Sequence, residues 1–429
     1  MTNRLLKATE VFVPGSYPEH SYVDRADPKI EQTLRDGVDT PGIFISVAGP
    51  SKSGKTVLIE KVIGKDNLIQ VTGSGIESAD EIWERVLDCL EIPIEKSFNE
   101  SLSRSQAVEV SANGKVGFPL VANAGAGAKG SVKREENNAK SEKYKRRGLA
   151  QVVEELANSQ QAILIDDFHY IPTPLQIEVM RQVKEAARGN IKIFIASVLH
   201  RADEAIRANT EVQGRFVSID LEYWKPSELK KIGIKGFEKL NAKIPDALLD
   251  KLCIEAAGSP QLMQTLCLQT CRRINHREQT SSPKSYDPTS SDVQAILEDS
   301  SSSMDYRTLV DVLDCGPKER GRERKIYAFK DNTSGDVYRC ILKSLALDPP
   351  SLSFDYDELS KRAASICTSD TPSGSSIQGS CEHMIKLART KFPDEKAIDW
   401  NKEREILDIA EPYLLFYFRW SGRLKEPNE

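Results

Sequence analysis

The stretch GIFISVAGPSKSGKTVLIEKVIG, residues 42–64, decides how the chain is read. Its middle, Gly49-Pro50-Ser51-Lys52-Ser53-Gly54-Lys55-Thr56, fits the pattern G-x-x-x-x-G-K-[ST]. The β-prone IFISVA runs into the pattern and the helically periodic TVLIEKVI runs out of it, closed by Gly64. The bare pattern arises by chance in roughly one or two chains per hundred of this length, and the strand–loop–helix context reduces that further. Gly49 and Gly54 let the backbone curl so that successive N–H groups face phosphate oxygens, and the helix N-terminus adds positive potential. Lys55 then reaches the terminal phosphates and Thr56 offers a hydroxyl to Mg²⁺. The expectation is a bound nucleotide with Mg²⁺.

Such a loop needs a carboxylate from a neighbouring strand to hold the magnesium shell and orient water. AILIDDFHY supplies two: the buried run 162–165 ends in Asp166, expected on the metal through water, and Asp167, expected to polarise the attacking water. A helix N-cap is the other reading of this Asp pair. The strand IKIFIAS ends on Ser197, which either monitors the terminal phosphate or caps the helix that follows. QGRFVSIDL reads as one more strand preceded by Arg215. That arginine either reaches the nucleotide of a neighbouring subunit or pairs with surface acids.

The 429 residues are 39% hydrophobic, enough for two or three cores. No apolar run approaches the roughly 18 residues of a membrane span, and the opening MTNRLLKATEVFVPG lacks the apolar core of a signal peptide, so a cytoplasmic protein without membrane contact is expected. The eight cysteines are scattered with no CxxC pair and read as reduced; Cys267 and Cys271, one helical turn apart, read as core rather than metal ligands. A net charge of −5 exerts no global pull on nucleic acid.

The order of these motifs over about residues 42–276 resembles the AAA+ superclass, and within it the branch shared by initiator-type and STAND signalling ATPases. The resemblance implies ATP or ADP as ligand, slow ATP hydrolysis, and self-association in the ATP state through Arg215. It also implies that the segment YVDRADPKIEQTLRD packs over the adenine, placing Tyr22, Val23 and Arg25 near the base. After the core come amphipathic helices forming a lid, and Gly258-Ser259-Pro260 resembles the G-x-P motif, with Pro260 at the nucleotide. Where motors place an arginine after this glycine, the chain has Gln261. A neutral amide makes a weaker hydrogen bond to phosphate than a charged group, so a switch fits better than a motor.

Asn113-Gly114 between alternating apolar runs predicts a hairpin insert at about 104–147, followed by basic residues from Lys129 to Arg147 that either touch DNA or a partner or form a solvated loop. Residues 277–325, rich in Ser, Asp and Pro, read as a linker with one or two short helices. The last hundred residues read as three helices, a two-stranded wing and the closing helix EPYLLFYFRWSG, which resembles a winged-helix domain. Its third helix carries Lys386, Arg389 and Lys391, for DNA contact or, as the favoured alternative, docking against the core.

The expected architecture is α/β: a P-loop NTPase parallel sheet with a helical lid, followed by a C-terminal winged-helix domain. The boundaries are 1–41 for the adenine-pocket segment, 42–222 for the core, 223–276 for the lid, 277–325 for the linker and 326–429 for the tail. The expected use is a nucleotide-dependent switch of a prokaryotic defence or signalling system with a separate effector protein. The alternative is a DNA-binding initiator or transposition regulator.

Overall fold

The computed structural model describes residues 4–92, 95–98, 142–145, 147–198, 214–317, 323–392 and 397–425. The hairpin insert and its basic residues up to Arg146 therefore lie outside the described residues, apart from a short antiparallel pair, Glu95–Phe98 with Glu142–Lys145.

Five parallel strands form the core sheet: β1 (Phe44–Ala48), β2 (Leu68–Thr72), β3 (Ala162–Asp166), β4 (Lys192–Ser197) and β5 (Phe216–Asp220), in the spatial order β2-β3-β4-β1-β5. Their runs are almost continuously apolar because both faces are covered. On one face Phe44, Ile163, Ile165, Ile193 and Ile195 pack with the helices Asp80–Cys89, Leu149–Leu156 and Thr173–Arg188. On the other, Ile45, Val47, Leu164, Phe194 and Ile219 meet Leu34, Leu58 and Ile59 from the helices Pro28–Asp39 and Lys55–Ile63. The P-loop NTPase sheet expected from the motifs is present. β1, which feeds the phosphate loop, lies inside it between β4 and β5.

Three helices make the lid: Pro226–Lys239, Asp246–Glu255 and Pro260–Arg273. Ala257 and Gly258, both in the left-handed region, turn the chain between the last two, and a Cβ on Gly258 would lie 2.7 Å from Tyr223 Cβ. Cys267 and Cys271 are fully buried in the lid core.

Two features of this region go beyond the sequence reading. The N-terminal segment belongs to the lid as much as to the base pocket: Ala8, Val11 and Phe12 join the lid core, and Ala8 N–H donates to Arg277 O at 2.8 Å. Residues 277–325, read as a linker with one or two short helices, hold two helices that pack into the neighbouring cores. The helix Ser290–Ser302 places Ile296 and Leu297 in the lid core, while Arg307–Cys315 places Leu309, Val310 and Leu313 in the core of the tail. Apolar residues at three- and four-residue spacing are what packs these two helices.

The tail has a central helix, Val337–Leu345, buried along its whole length. The helices Tyr356–Ile366 and Gly374–Lys391 follow, then the antiparallel pair Ile398–Asn401 and Ile406–Ile409, then the closing helix Pro412–Trp420. A third strand, Ser353–Asp355, pairs with Ile406–Ile409. The resulting chain order in the tail is helix, strand, two helices and two strands.

The closing helix belongs to two cores. Leu414, Leu415, Tyr417 and Phe418 face the tail core, and Phe416 faces the lid core. Arg419 donates to both carboxylate oxygens of Glu255 on the lid at 2.9 Å each, and Trp420 Nε1 donates to the same carboxylate at 2.7 Å.

Candidate nucleotide site

The site is built at the carboxyl end of β1, where ligands of parallel sheets collect. The loop backbone requires its glycines. A Cβ on Gly49 would lie 2.8 Å from Leu221 Cβ, and Gly54 is left-handed at φ 91° as the residue capping the helix Lys55–Ile63. Lys52, between them, is also left-handed at φ 57°. Gly49, Pro50 and Ser53 are buried beneath the loop, whereas Ser51, Lys52, Gly54, Lys55 and Thr56 line a cavity of about 800 Å³. Such a volume is within the range of small-molecule and cofactor pockets.

Lys55 Nζ donates to Gly49 O at 3.0 Å and Pro50 O at 2.8 Å. Burial holds its pKa below the usual lysine value, with Asp166 and Asp167 acting in the opposite direction. Thr56 Oγ1 donates to Asp166 Oδ2 at 2.9 Å, and Gln70 Nε2 donates to the same oxygen at 3.1 Å. A hydroxyl and a carboxylate oriented on one another in this way are the donor set that a hydrated Mg²⁺ takes up. The residues present therefore fit a nucleotide with its metal.

Asp167 closes β3 in the left-handed region, φ 56°, and its N–H donates to Asp166 Oδ1 at 2.9 Å. Its carboxyl pKa is raised, first by burial and then by the neighbouring Asp166 charge. A carboxylate tuned upward beside a phosphate site is suited to taking a proton from water.

Ser197 and Arg215 are not in the cavity. Ser197 is fully buried at the end of β4, its carbonyl accepting from Gly49 N–H at 3.1 Å. Its Oγ has no hydrogen-bond partner among the described residues, and it is Val198 that lines the pocket. Arg215 precedes β5, and its carbonyl accepts from Phe44 N–H at the start of β1. It is therefore at the opposite end of the sheet from the loop, about 16 Å away at the rise of a five-residue strand.

The N-terminal segment forms one wall of the cavity. Tyr22, Val23 and Arg25 line the cavity together with Val13, Pro14, Ser16 and Pro18. Tyr22 stacks on Tyr17 with centroids 5.5 Å apart. Arg25 is held under the loop: Nη2 donates to Ser53 O and Nη1 to Glu222 O, both at 2.8 Å, and the guanidinium lies over the Trp224 ring. Burial lowers its pKa to about 10. Gln264 fixes this wall to the lid, accepting from Val13 N–H and donating to Ser21 Oγ.

The lid wall carries Pro260, with Gln261 beside it. Arg272 and Arg273, at the far end of that helix, are engaged with Gln269 and Asp292.

Sequence reasoning missed the fourth wall, which comes from the tail. Arg389, Asp399, Asp408 and Glu411 line the same cavity. Glu411 Oε2 accepts from Ser51 Oγ at 2.9 Å and lies 3.4 Å from Lys52 Nζ, while the Tyr413 ring lies under that ammonium at 4.7 Å. The glutamate before a helix-opening proline was visible in the sequence, but nothing local signals a contact spanning 360 residues. Lys386 and Lys391 on the third tail helix are exposed, as is Arg389, which pairs with Asp399.

No family model and no curated protein matches the sequence. Among solved structures, the chain is similar to Cdc6p from Pyrobaculum aerophilum, at 13% identity, TM-score 0.40, and 98% of each chain covered. It is also similar to a Walker-type ATPase of Pyrococcus abyssi, at 10% identity, TM-score 0.46, and 91% of this chain and 95% of that one covered. A third match is the ORC2 protein of Aeropyrum pernix, solved as ADPNP–ADP complexes, at 12% identity, TM-score 0.45, and 98% and 96% covered. At such scores these matches add nothing to the sheet order and loop geometry.

Proposed function

We propose that the chain is an initiator-like AAA+ ATPase that binds Mg–ATP, hydrolyses it slowly, and works as a switch whose nucleotide state sets the position of the lid and tail. The observation that carries this reading is the single cavity on which the phosphate loop, the Thr56–Asp166 pair, the lid and the tail all converge.

Thr56 and Asp166 would hold the metal. When bound, Mg²⁺ would neutralise charge on the phosphate oxygens during in-line attack. Lys55 exchanges its bonds to Gly49 O and Pro50 O for phosphate oxygens, and Asp167 takes the proton of the attacking water. Arg25 and Trp224, both donating to Ser53 O, keep the loop in shape from below. Gln261 gives the lid an uncharged contact to the terminal phosphate, which supports slow turnover. The state then reaches the rest of the molecule through Pro260 and Gln261 at the head of one lid helix and through Glu411 at the head of the closing helix.

A DNA-acting machine is the second reading, favoured by the exposed Lys386 and Lys391 and by Lys402 beside Trp400 on the wing. Against it, Arg389 of the same helix is turned to Asp399 and the nucleotide cavity, which supports docking within the molecule.

The test is steady-state ATP hydrolysis by the wild type beside Lys55→Ala and Asp167→Ala, with and without duplex DNA at two salt concentrations. Slow, DNA-indifferent turnover lost in both variants is expected. Strong DNA stimulation that fades steeply with salt would select the second reading, and unchanged turnover in both variants would remove the site from the chemistry.

A further inference from the structure

The tail does more than cover the cavity, and its part can be argued from one side chain. Glu411 is the N-cap residue of the helix Pro412–Trp420, yet its side chain makes no capping bond to that helix. It turns instead to the phosphate loop, where Oε2 takes the Ser51 hydroxyl and faces the Lys52 ammonium. Its other oxygen, Oε1, is buried with no hydrogen-bond partner among the described residues.

A carboxylate in that place occupies part of the loop's hydrogen-bonding and positive capacity, which would otherwise serve an anion. It stands on a wall that already carries Asp408, across a cavity that carries Asp166 and Asp167. Each further phosphate on a ligand adds negative charge to this enclosure, where like charges are weakly screened.

The carboxylate cannot easily swing aside. The helix behind it is fastened by Phe416 in the lid core and by the buried Arg419–Glu255 pair, and Lys52 is restrained by Tyr413 and by Ser259 Oγ, which donates to Lys52 O at 3.4 Å. Relief requires either loss of the charge or displacement of the whole head of the helix.

Resting on the reading of the cavity as a nucleotide site, we propose that Glu411 is its specificity-determining residue for phosphate number, disfavouring a nucleoside triphosphate relative to the diphosphate until the tail withdraws from the loop. The diphosphate leaves the Glu411 contacts intact, and the triphosphate breaks them.

The experiment measures equilibrium binding of mant-ADP and of non-hydrolysable mant-AMPPNP, with Mg²⁺, to the full chain as wild type, Glu411→Gln and Lys55→Ala. Glutamine keeps an acceptor for Ser51 and loses only the charge, so packing is preserved. Triphosphate-analogue affinity is expected to rise about tenfold in Glu411→Gln while mant-ADP affinity stays within about twofold. Equal changes for both ligands, or none, with binding still abolished by Lys55→Ala, would overturn the Glu411 assignment alone. Wild-type binding that Lys55→Ala leaves intact, or no binding at all, would overturn the nucleotide reading and this inference with it.

A second measurement needs no variant. Hydrogen exchange in wild-type residues 406–415 is expected to speed up with AMPPNP and not with ADP. Equal protection by the two ligands would overturn the proposal.

Discussion

Asp167 is a carboxyl that must be ionised to accept a proton, and both burial and the Asp166 charge favour its protonated form. With its pKa raised, the active form is lost at a higher pH than an ordinary aspartate, of about 4, would allow. Single-turnover hydrolysis should therefore fall on the acid side with a midpoint above 4, and Asp167→Asn should abolish turnover while leaving nucleotide binding. A midpoint at or below 4 would take Asp167 out of the proton transfer. At this scale the site was legible in part. Lys55, Thr56, Asp166 and Asp167, which a short pattern and a strand end fix locally, line one cavity. Ser197 was legible as a strand terminus but not as a buried one. Arg25 lines the cavity and its guanidinium also braces the loop through Ser53 O, which was not read. That bond joins segments which only the completed fold brings together.

Among the elements, the closing helix has the largest mechanical part. Glu255 and Arg419 are both almost fully inaccessible, at 0% and 5% side-chain exposure, and removing either would leave the other buried with only its lesser partners, Lys251 for the glutamate and Asp348 for the arginine. Glu255 also accepts from Lys251 and Trp420 and keeps a lowered pKa despite its burial, because Arg419 hydrogen-bonds to it. Glu255→Ala should then cost about 3–5 kcal/mol of stability, read as a lowered urea midpoint. A loss below about 1 kcal/mol would mean that the lid and tail are joined by apolar packing alone. Four strands of the core sheet were legible from their apolar runs. The strand Ser353–Asp355 was not, since three residues carry too little alternation to read. Within residues 277–325 the one or two short helices expected are Ser290–Ser302 and Arg307–Cys315, and the cores they join were not read.

Across the whole molecule, Arg215 is the element of the reading that a single chain cannot use, being at the sheet end remote from its own phosphate loop. If it serves a neighbour, Arg215→Ala should leave nucleotide binding unchanged while lowering turnover at least tenfold and weakening ATP-dependent assembly, followed by light scattering with AMPPNP. Unchanged turnover and mass would assign Arg215 to the surface. The topology also sets a timetable. Phe12 packs against Gly236 and Phe237, and Ala8 against Arg277, so the first turn of the chain belongs to a core whose other members are synthesised far later. At about 5–20 residues per second the N-terminal segment waits roughly ten to forty-five seconds for its partners to leave the ribosome. During synthesis this segment is thus made well before the partners that fix it. A nascent chain halted before residue 236 would expose Val11 and Phe12 as a binding point for chaperones.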